Sequence, residues 1–269
     1  MAQAVPQVEE LIAPAAWRTV DFISDLHLQP GEPATFEAWR HHMLHTPADA
    51  VFILGDLFEV WVGDDAVTAQ AFQHPHGFED QCARVLRQSA DRLPVFFMHG
   101  NRDFLVGPGL MGQCHTTLLA DPTVLIFPAA TPQRWLLSHG DALCTGDVDY
   151  LQFRAQVRSS AWQQAFLAKT LTQRQAIARG LRQQSEARKL SGATYADVDA
   201  GLARQWLAAA NSLTLIHGHT HRPADHDLGD GLSRVVLSDW DMEAQVPHAQ
   251  VLRLSAEGLR RVNLINASG

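Results

Sequence analysis

Short apolar runs alternate with longer amphipathic stretches along the chain. The runs at 19–24 (TVDFIS), 50–54 (AVFIL), 95–98 (VFFM), 135–138 (WLLS) and 213–216 (LTLI) are rich in branched or aromatic residues. Their length and composition predict buried strands. Amphipathic patterns at about 35–45 and 79–90 predict helices between them. Strands separated by helices predict an α/β fold whose sheet is covered on both faces. Further runs at 233–237, 250–254 and 259–264 predict a β-rich C-terminal part. Residues 1–16, with Pro6 and Pro14, read as a loose N-terminal extension, and 17–269 as one domain.

The stretch from about 148 to 210 has no strand pattern. Val157, Trp162, Phe166 and Leu167 recur mostly at three- to five-residue steps, while Leu151, Arg154 and Arg158 mark another face. This predicts a helical insertion of two or three helices. Its charge is reversed: from Arg154 to Lys189 there are eight Lys or Arg against Glu186 alone, a local net of +7 in a chain of −8. The insertion therefore reads either as a solvated helical face or as a basic lid over an acidic site, or a surface for anionic lipid.

Composition then removes whole classes. With 46% hydrophobic and 19% charged residues the chain is too apolar for a disordered protein. It has no uninterrupted apolar run of about 18 residues, so no membrane-spanning helix is expected. Residues 1–17 carry Glu9 and Glu10 without a basic cluster, unlike a secretory leader. Cys82, Cys114 and Cys144 are odd in number and form no CxxC pair, which fits a reducing cytosol. The negative charge argues against general nucleic-acid binding. The 14 histidines raise the question of metal ligation.

Five predicted strands end in chemically similar residues. They are Asp25-Leu26-His27, Gly55-Asp56, Gly100-Asn101-Arg102-Asp103, His139-Gly140-Asp141 and Gly218-His219-Thr220-His221. Ligands of open α/β sheets bind beyond the carboxyl ends of strands, so these groups are expected to meet on one rim. The glycines are expected to allow sharp turns there. Each fragment alone is commonplace, as a turn or a helix cap. The ordered set is not. Its oxygen and imidazole donors suit Mn²⁺, Fe²⁺, Zn²⁺ or Co²⁺ and suit Ca²⁺ poorly. Seven donors (Asp25, His27, Asp56, Asn101, His139, His219, His221) exceed the need of one ion that must also hold substrate. They fit two ions sharing a carboxylate, with Asp56 as the natural bridge. Asp103 and Asp141 are either turn residues or outer partners that orient a ligand imidazole.

This order of motifs resembles the calcineurin-like metallophosphoesterases over about residues 18–240. The resemblance implies an α/β fold built as a β-sandwich flanked by helices, with two divalent ions at its rim. It implies Asp25, His27, Asp56 and His221 on one ion and Asp56, Asn101, His139 and His219 on the other. Mn²⁺ is the family's usual metal. Many members carry His after the Asn, where it can protonate a leaving group. Here Arg102 stands instead, which can clamp a phosphate but cannot act as an acid near neutral pH. A good leaving group, and hence a pyrophosphate bond, is implied.

The segments FISDLHL, ILGDLFEVWVGDD, FFMHGNRDFLVG, LLSHGDALCTGDVDYLQFR and LIHGHTHRPADH are similar to the UDP-2,3-diacylglucosamine hydrolases of lipid A synthesis, which carry a helical lid for acyl chains. The implied catalyst is a metal-bound hydroxide held by Asp56, with His139, His219 and Arg102 stabilising the transition state. Substrate contacts are implied for Asn101, Arg102, Asp147, Tyr150, Ser185, Lys189 and His219. The implied partners are a UDP-linked diacylated glucosamine lipid and the anionic surface of the inner membrane, met peripherally from the cytoplasm. No nucleic-acid partner is expected, and a monomer is favoured. Leu151, Phe153, Trp162 and Phe166 either line an acyl groove or pack between lid helices. Two competing readings are a hydrolase of soluble nucleotide diphosphates or phosphodiesters and an inactive metal-binding scaffold.

Overall fold

The computed structural model describes residues 6–129, 132–190 and 196–265, with the side chains of 184–190 outside the description. Twelve strands and seven helices run through them. The strands are β1 (Glu9–Ile12), β2 (Thr19–Ile23), β3 (Ala50–Leu54), β4 (Val95–Met98), β5 (Thr117–Leu119), β6 (Thr123–Phe127), β7 (Gln133–Ser138), β8 (Thr214–His217), β9 (Asp225–Gly229), β10 (Leu232–Val236), β11 (Gln250–Ser255) and β12 (Gly258–Asn263). The helices are α1 (Pro33–His45), α2 (Phe78–Ala90), α3 (Pro108–Gln113), α4 (Val148–Val157), α5 (Ser160–Leu167), α6 (Leu171–Leu190) and α7 (Ala200–Ala209).

The strands form two mixed sheets of six, ordered β1-β6-β7-β8-β10-β9 and β12-β11-β2-β3-β4-β5. Successive residues of one strand explain why both sheets are covered on two sides. Phe22, Phe52 and Phe96 pack inward, with Leu125, Leu137 and Ile216 of the other sheet. Their neighbours Ile23, Ile53 and Phe97 point outward, onto Trp39 and Met43 of α1 and Leu86 of α2. A strand buried on both faces reads as a continuous apolar run, which is why these strands were visible in sequence. On the far side, Val124, Leu136 and Leu215 pack against Leu202, Trp206 and Leu207 of α7. The result is helix, sheet, sheet and helix in layers.

Two details differ from the sequence reading. Residues 9–12, within the stretch read as a loose extension, pair in parallel with β6 from Glu9↔Thr123 to Ile12↔Ile126. And α7, read as part of the helical insertion, serves as the outer cover of a sheet. Of the insertion's described helices, α4, α5 and α6 line the cavity beside the rim where the polar strand ends collect.

Helix starts in this region follow local capping chemistry. Asp147 caps α4 by accepting from Tyr150 N, Ser159 caps α5 by accepting from Trp162 N, and Asp199 caps α7 by accepting from Leu202 N. Each satisfies an orphan backbone donor of the first turn.

Candidate metal centre

The five strand-end motifs do meet on one rim. The second sheet supplies Asp25 and His27 after β2, Asp56 after β3 and Asn101 after β4. The first sheet supplies His139 after β7, and His219 and His221 after β8. Backbone hydrogen bonds knit neighbouring turns: His27 N donates to Asp56 O at 3.0 Å, and Gly218 N donates to His139 O at 3.0 Å. Across the sandwich, His219 N donates to both Asp25 oxygens, at 3.0 and 2.9 Å.

The donor atoms cluster tightly. Those of Asp25, His27 and His221 lie within 4.8 Å of one another, as do those of Asp25, Asp56 and His139. Asn101 Oδ1 sits 3.0 Å from His139 Nε2 and 2.8 Å from His219 Nδ1. Asp56 Oδ2 lies 3.9 Å from His27 Nε2 and 3.8 Å from His139 Nε2, between the two groups. Its other oxygen accepts from Arg102 N at 2.8 Å. Asp56 thus lies between the donor groups of the two sheets.

The donors are held at a conformational cost. Asp25, His27, Asp56, His219 and His221 have φ of 55°, 49°, 52°, 68° and 52°. A side-chain-bearing residue in this left-handed region is uncommon, and such strain collects at functional sites. The adjacent glycines do not all serve the turning role expected of them. Gly55 does, with φ of +90°. Gly100 instead serves as space: a Cβ there would stand 2.0 Å from Asp56 Oδ1.

Electrostatics suit a cation. Burial disfavours a charged His139, but Asp56, Asp25 and Asp141 outweigh it and lift the imidazole to about 9. In contrast, burial and the neighbouring His139 push His219 down to about 4, so it is a neutral donor. Buried carboxylates that raise a nearby imidazole this far mark a place where positive charge is wanted. With imidazole, carboxylate and amide donors in one cluster, the residues present fit divalent transition-metal ions.

The imidazoles are oriented from behind. His139 Nδ1 donates to Leu54 O at 3.0 Å, which leaves Nε2 facing the cluster. His27 Nδ1 lies 2.7 Å from Glu59 Oε2, and His221 Nδ1 lies 3.6 Å from Asp239 Oδ2. Glu59 and Asp239 were not among the site residues expected from sequence. Glu59 had a signal: an acid between Phe58 and the apolar pair Val60 and Trp61 is headed for burial and needs partners.

Asp103 and Asp141 are not the outer partners of the imidazoles. Asp103 is a loop tie, accepting from Leu57 N and Gly100 N at 2.8 Å each. Burial and the charge of Asp56 raise its carboxyl to about 7. Asp141 reaches the other way, toward the lid. It accepts from Tyr150 Oη at 2.6 Å and from Arg154 Nε at 2.7 Å.

The basic helical segment therefore faces inward. Arg158 donates to Gly100 O at 2.8 Å, and Arg182 Nη1 lies 3.2 Å from Glu59 Oε1. Arg174, 2% exposed, donates to Val62 O at 2.5 Å and pairs with Asp65. These arginines clamp α4 and α6 onto the acidic rim. Arg154→Ala is expected to destabilise the fold by about 2–3 kcal/mol, because the buried Asp141 loses its closest charge partner and keeps only Tyr150 Oη and the more distant Arg158. Urea unfolding checks this; a change below about 1 kcal/mol would remove the clamp from the account.

A cavity of about 690 Å³ opens above the donors. His27, Asp56, Asn101, His219 and His221 line its polar floor. Phe104, Phe153, Trp162, Phe166 and Leu181 line an apolar end. Trp162 stacks on Phe166 at 4.7 Å, and Phe166 is buried, so part of this wall is packing within the lid; Phe153 is 39% exposed and open to the cavity. Leu151 does not line it. Asp147 and Tyr150 do, and Tyr150 stacks on His219 at 6.0 Å. Ser185 and Lys189 lie on α6 where side chains are outside the described residues.

Comparison with known proteins agrees with this geometry. The calcineurin-like phosphoesterase family profile matches residues 18–223. A UDP-2,3-diacylglucosamine hydrolase of Chromobacterium violaceum is 48% identical over 230 residues, covering 82% of this chain and 90% of that protein. The proteins of the same name from Xanthomonas oryzae pv. oryzae and Xanthomonas campestris pv. campestris are each 41% identical, covering 90% of this chain and 97% of theirs. With a matching family profile, relatives of this identity over nearly their full length, and a rim of candidate metal donors, the chain belongs to the calcineurin-like phosphoesterases, and among them to the UDP-2,3-diacylglucosamine hydrolases.

Proposed function

We propose that this chain hydrolyses the pyrophosphate bond of UDP-2,3-diacylglucosamine, releasing UMP and 2,3-diacylglucosamine 1-phosphate. The observation that carries the reading is the single cavity that joins a polar donor floor to an aromatic and aliphatic end under the lid. A substrate with a charged pyrophosphate in its middle and acyl chains at one end has that polarity. Each buried CH₂ of an acyl chain contributes about 0.8 kcal/mol, so the apolar end gives ample affinity.

Asp25, His27, Asp56 and His221 would hold one divalent ion, and Asp56, Asn101, His139 and His219 the other, with Mn²⁺ as the proposed metal. Bound there, such ions supply a water ionised near neutral pH and offset charge on the phosphoryl oxygens. The chain's own residues do the rest. Arg102 presents a guanidinium to the developing phosphoryl charge. It cannot donate a proton near neutral pH, which restricts the leaving group to one as good as a phosphate. Asn101 and His219 reach both the metal position and the phosphate. Asp147, at the N-cap of α4, and Tyr150 would contact the substrate, and Ser185 and Lys189 are proposed contacts from α6.

No helix among the described residues is long and apolar enough to cross a membrane. Leu167 and Ile177 of the lid, which do not line the cavity, are 44% and 38% exposed. They support a peripheral approach of the lid to the cytoplasmic face of the inner membrane, where the lipid substrate resides.

The test is hydrolysis by the metal-stripped protein with and without Mn²⁺, on UDP-2,3-diacylglucosamine and on a soluble UDP-sugar. Metal-dependent release of UMP from the lipid, with the UDP-sugar turned over at least about 100-fold more slowly, is the expected result. Equal turnover of both would replace this reading with a soluble nucleotide-diphosphate hydrolase. Neither turned over, in the presence of bound metal, would leave a scaffold.

A further inference from the structure

Glu59 follows β3 by five residues and is 8% exposed, yet it is not one of the seven donors. Its two oxygens are divided between partners. Oε2 lies 2.7 Å from His27 Nδ1. Oε1 lies 3.2 Å from Arg182 Nη1 and 3.5 Å from Arg102 Nη1. One carboxylate thus joins the turn after β2, the loop after β4 and the lid helix α6. His27 Nδ1 is buried, and the acceptor beside it among the described residues is Glu59 Oε2.

We propose that Glu59 is a positioning residue that sets the tautomer of His27 for metal binding and holds Arg102 and Arg182 together at the cavity wall. The proposal rests on the dimetal hydrolase reading above. A carboxylate accepts hydrogen bonds at both oxygens. With the His27 hydrogen drawn to Nδ1 by Oε2, the Nε2 lone pair is left toward the ion position. The second oxygen offsets the two guanidiniums, which would otherwise repel each other as close neighbours. Burial works against the charged form of Glu59, but His27, Arg102 and Arg182 outweigh it and hold the carboxyl below its usual range.

An amide of the same shape cannot serve both sides. If Gln turns its oxygen to His27, its NH₂ meets Arg102 and Arg182, donor against donor. If it turns the other way, NH₂ meets His27 Nδ1 and favours the tautomer with hydrogen on Nε2, which cannot ligate. The arrangement therefore distinguishes a positioning carboxylate from a merely space-filling one.

The experiment is calorimetric titration of Mn²⁺ into the metal-free full-length protein, without substrate, for wild type, Glu59→Gln and Arg182→Ala, followed by kcat and KM on the lipid. Glu59→Gln is expected to weaken Mn²⁺ at one site about 10- to 100-fold and to raise KM. Arg182→Ala is expected to raise KM and leave Mn²⁺ affinity unchanged. Unchanged Mn²⁺ affinity in Glu59→Gln overturns the proposal. Should that variant fail to fold, Glu59→Asp gives the same comparison, because it keeps the charge and withdraws it from His27 by one methylene: weakened Mn²⁺ binding supports the proposal and wild-type binding overturns it. A wild-type protein that binds no divalent ion would instead overturn the reading of the whole site.

Discussion

Asp56→Ala is expected to lower kcat on UDP-2,3-diacylglucosamine by about 10³-fold or more, a larger loss than removal of one oxyanion donor. Three roles vanish with one side chain. Asp56 is 1% exposed, and its Oδ2 stands between the two donor groups. Its Oδ1 fixes the backbone of Arg102 at 2.8 Å. Its charge is also the leading reason that His139 is lifted to about 9 against burial. Asp56→Asn separates these roles. It keeps one acceptor for Arg102 N and loses the charge. If the bridge is what matters, Asn is nearly as inactive as Ala, and both variants bind less than two Mn²⁺ per chain. A tenfold loss or less in Asp56→Ala, measured at saturating Mn²⁺, would refute the bridging role.

The second large effect is at Arg102. Arg102→Ala is expected to lower kcat/KM about 10²- to 10³-fold with Mn²⁺ affinity unchanged. The side chain lines the cavity, and its Nε is buried without a hydrogen-bond partner among the described residues. The proposed role puts its exposed guanidinium nitrogens, not the buried Nε, on a phosphoryl oxygen. Arg102→Lys is expected to recover only part of the loss. A lysine restores the charge but not the planar pair of donors. Equal rescue by Lys would reduce the role of Arg102 to charge alone. A fall in Mn²⁺ affinity in Arg102→Ala would reassign it to holding the donors.

The parts of this molecule that were legible in sequence share a property. Strands β2, β3 and β4 are buried on both faces, so their apolar runs stood out, and each ran straight into its ligand motif. Helices α1 and α2 were visible because one face of each packs on those strands. Of the strands missed, β6 (TVLIF) carries an apolar run that the reading passed over, whereas β1 and β9 have weak local patterns. In β1 three of four residues are exposed, and in β9 none is buried. The pairing of Glu9 with Thr123 spans more than a hundred residues, and no local signal encodes it. For the same reason, periodicity could not divide one covered sheet from two stacked ones; the family resemblance did that.

The site shows the same division. Donor types and their order were readable because each motif is contiguous in sequence. The partners of the donors were not. Asp141 sits beside His139 in sequence, which suggested service to that imidazole, yet its carboxylate is taken by Tyr150 and Arg154. The imidazole found a backbone carbonyl, Leu54 O, which carries no side-chain signature at all. The charge reversal of the insertion was legible as a number. That its arginines turn inward depends on where the acids lie in space.

The donors come from both sheets, and this has a consequence beyond chemistry. The triad of Asp25, His27 and His221 takes two residues from one sheet and one from the other, and Asp56 and His139 are divided in the same way. An ion held by either group is a clasp across the open end of the sandwich. Loading would slow amide exchange in both sheets together, because neither leaf could then peel away alone. A freshly made chain without metal would gape first at this rim, and proteases would meet the unloaded molecule there. Cellular metal supply would then govern how long the protein survives as well as how fast it turns over.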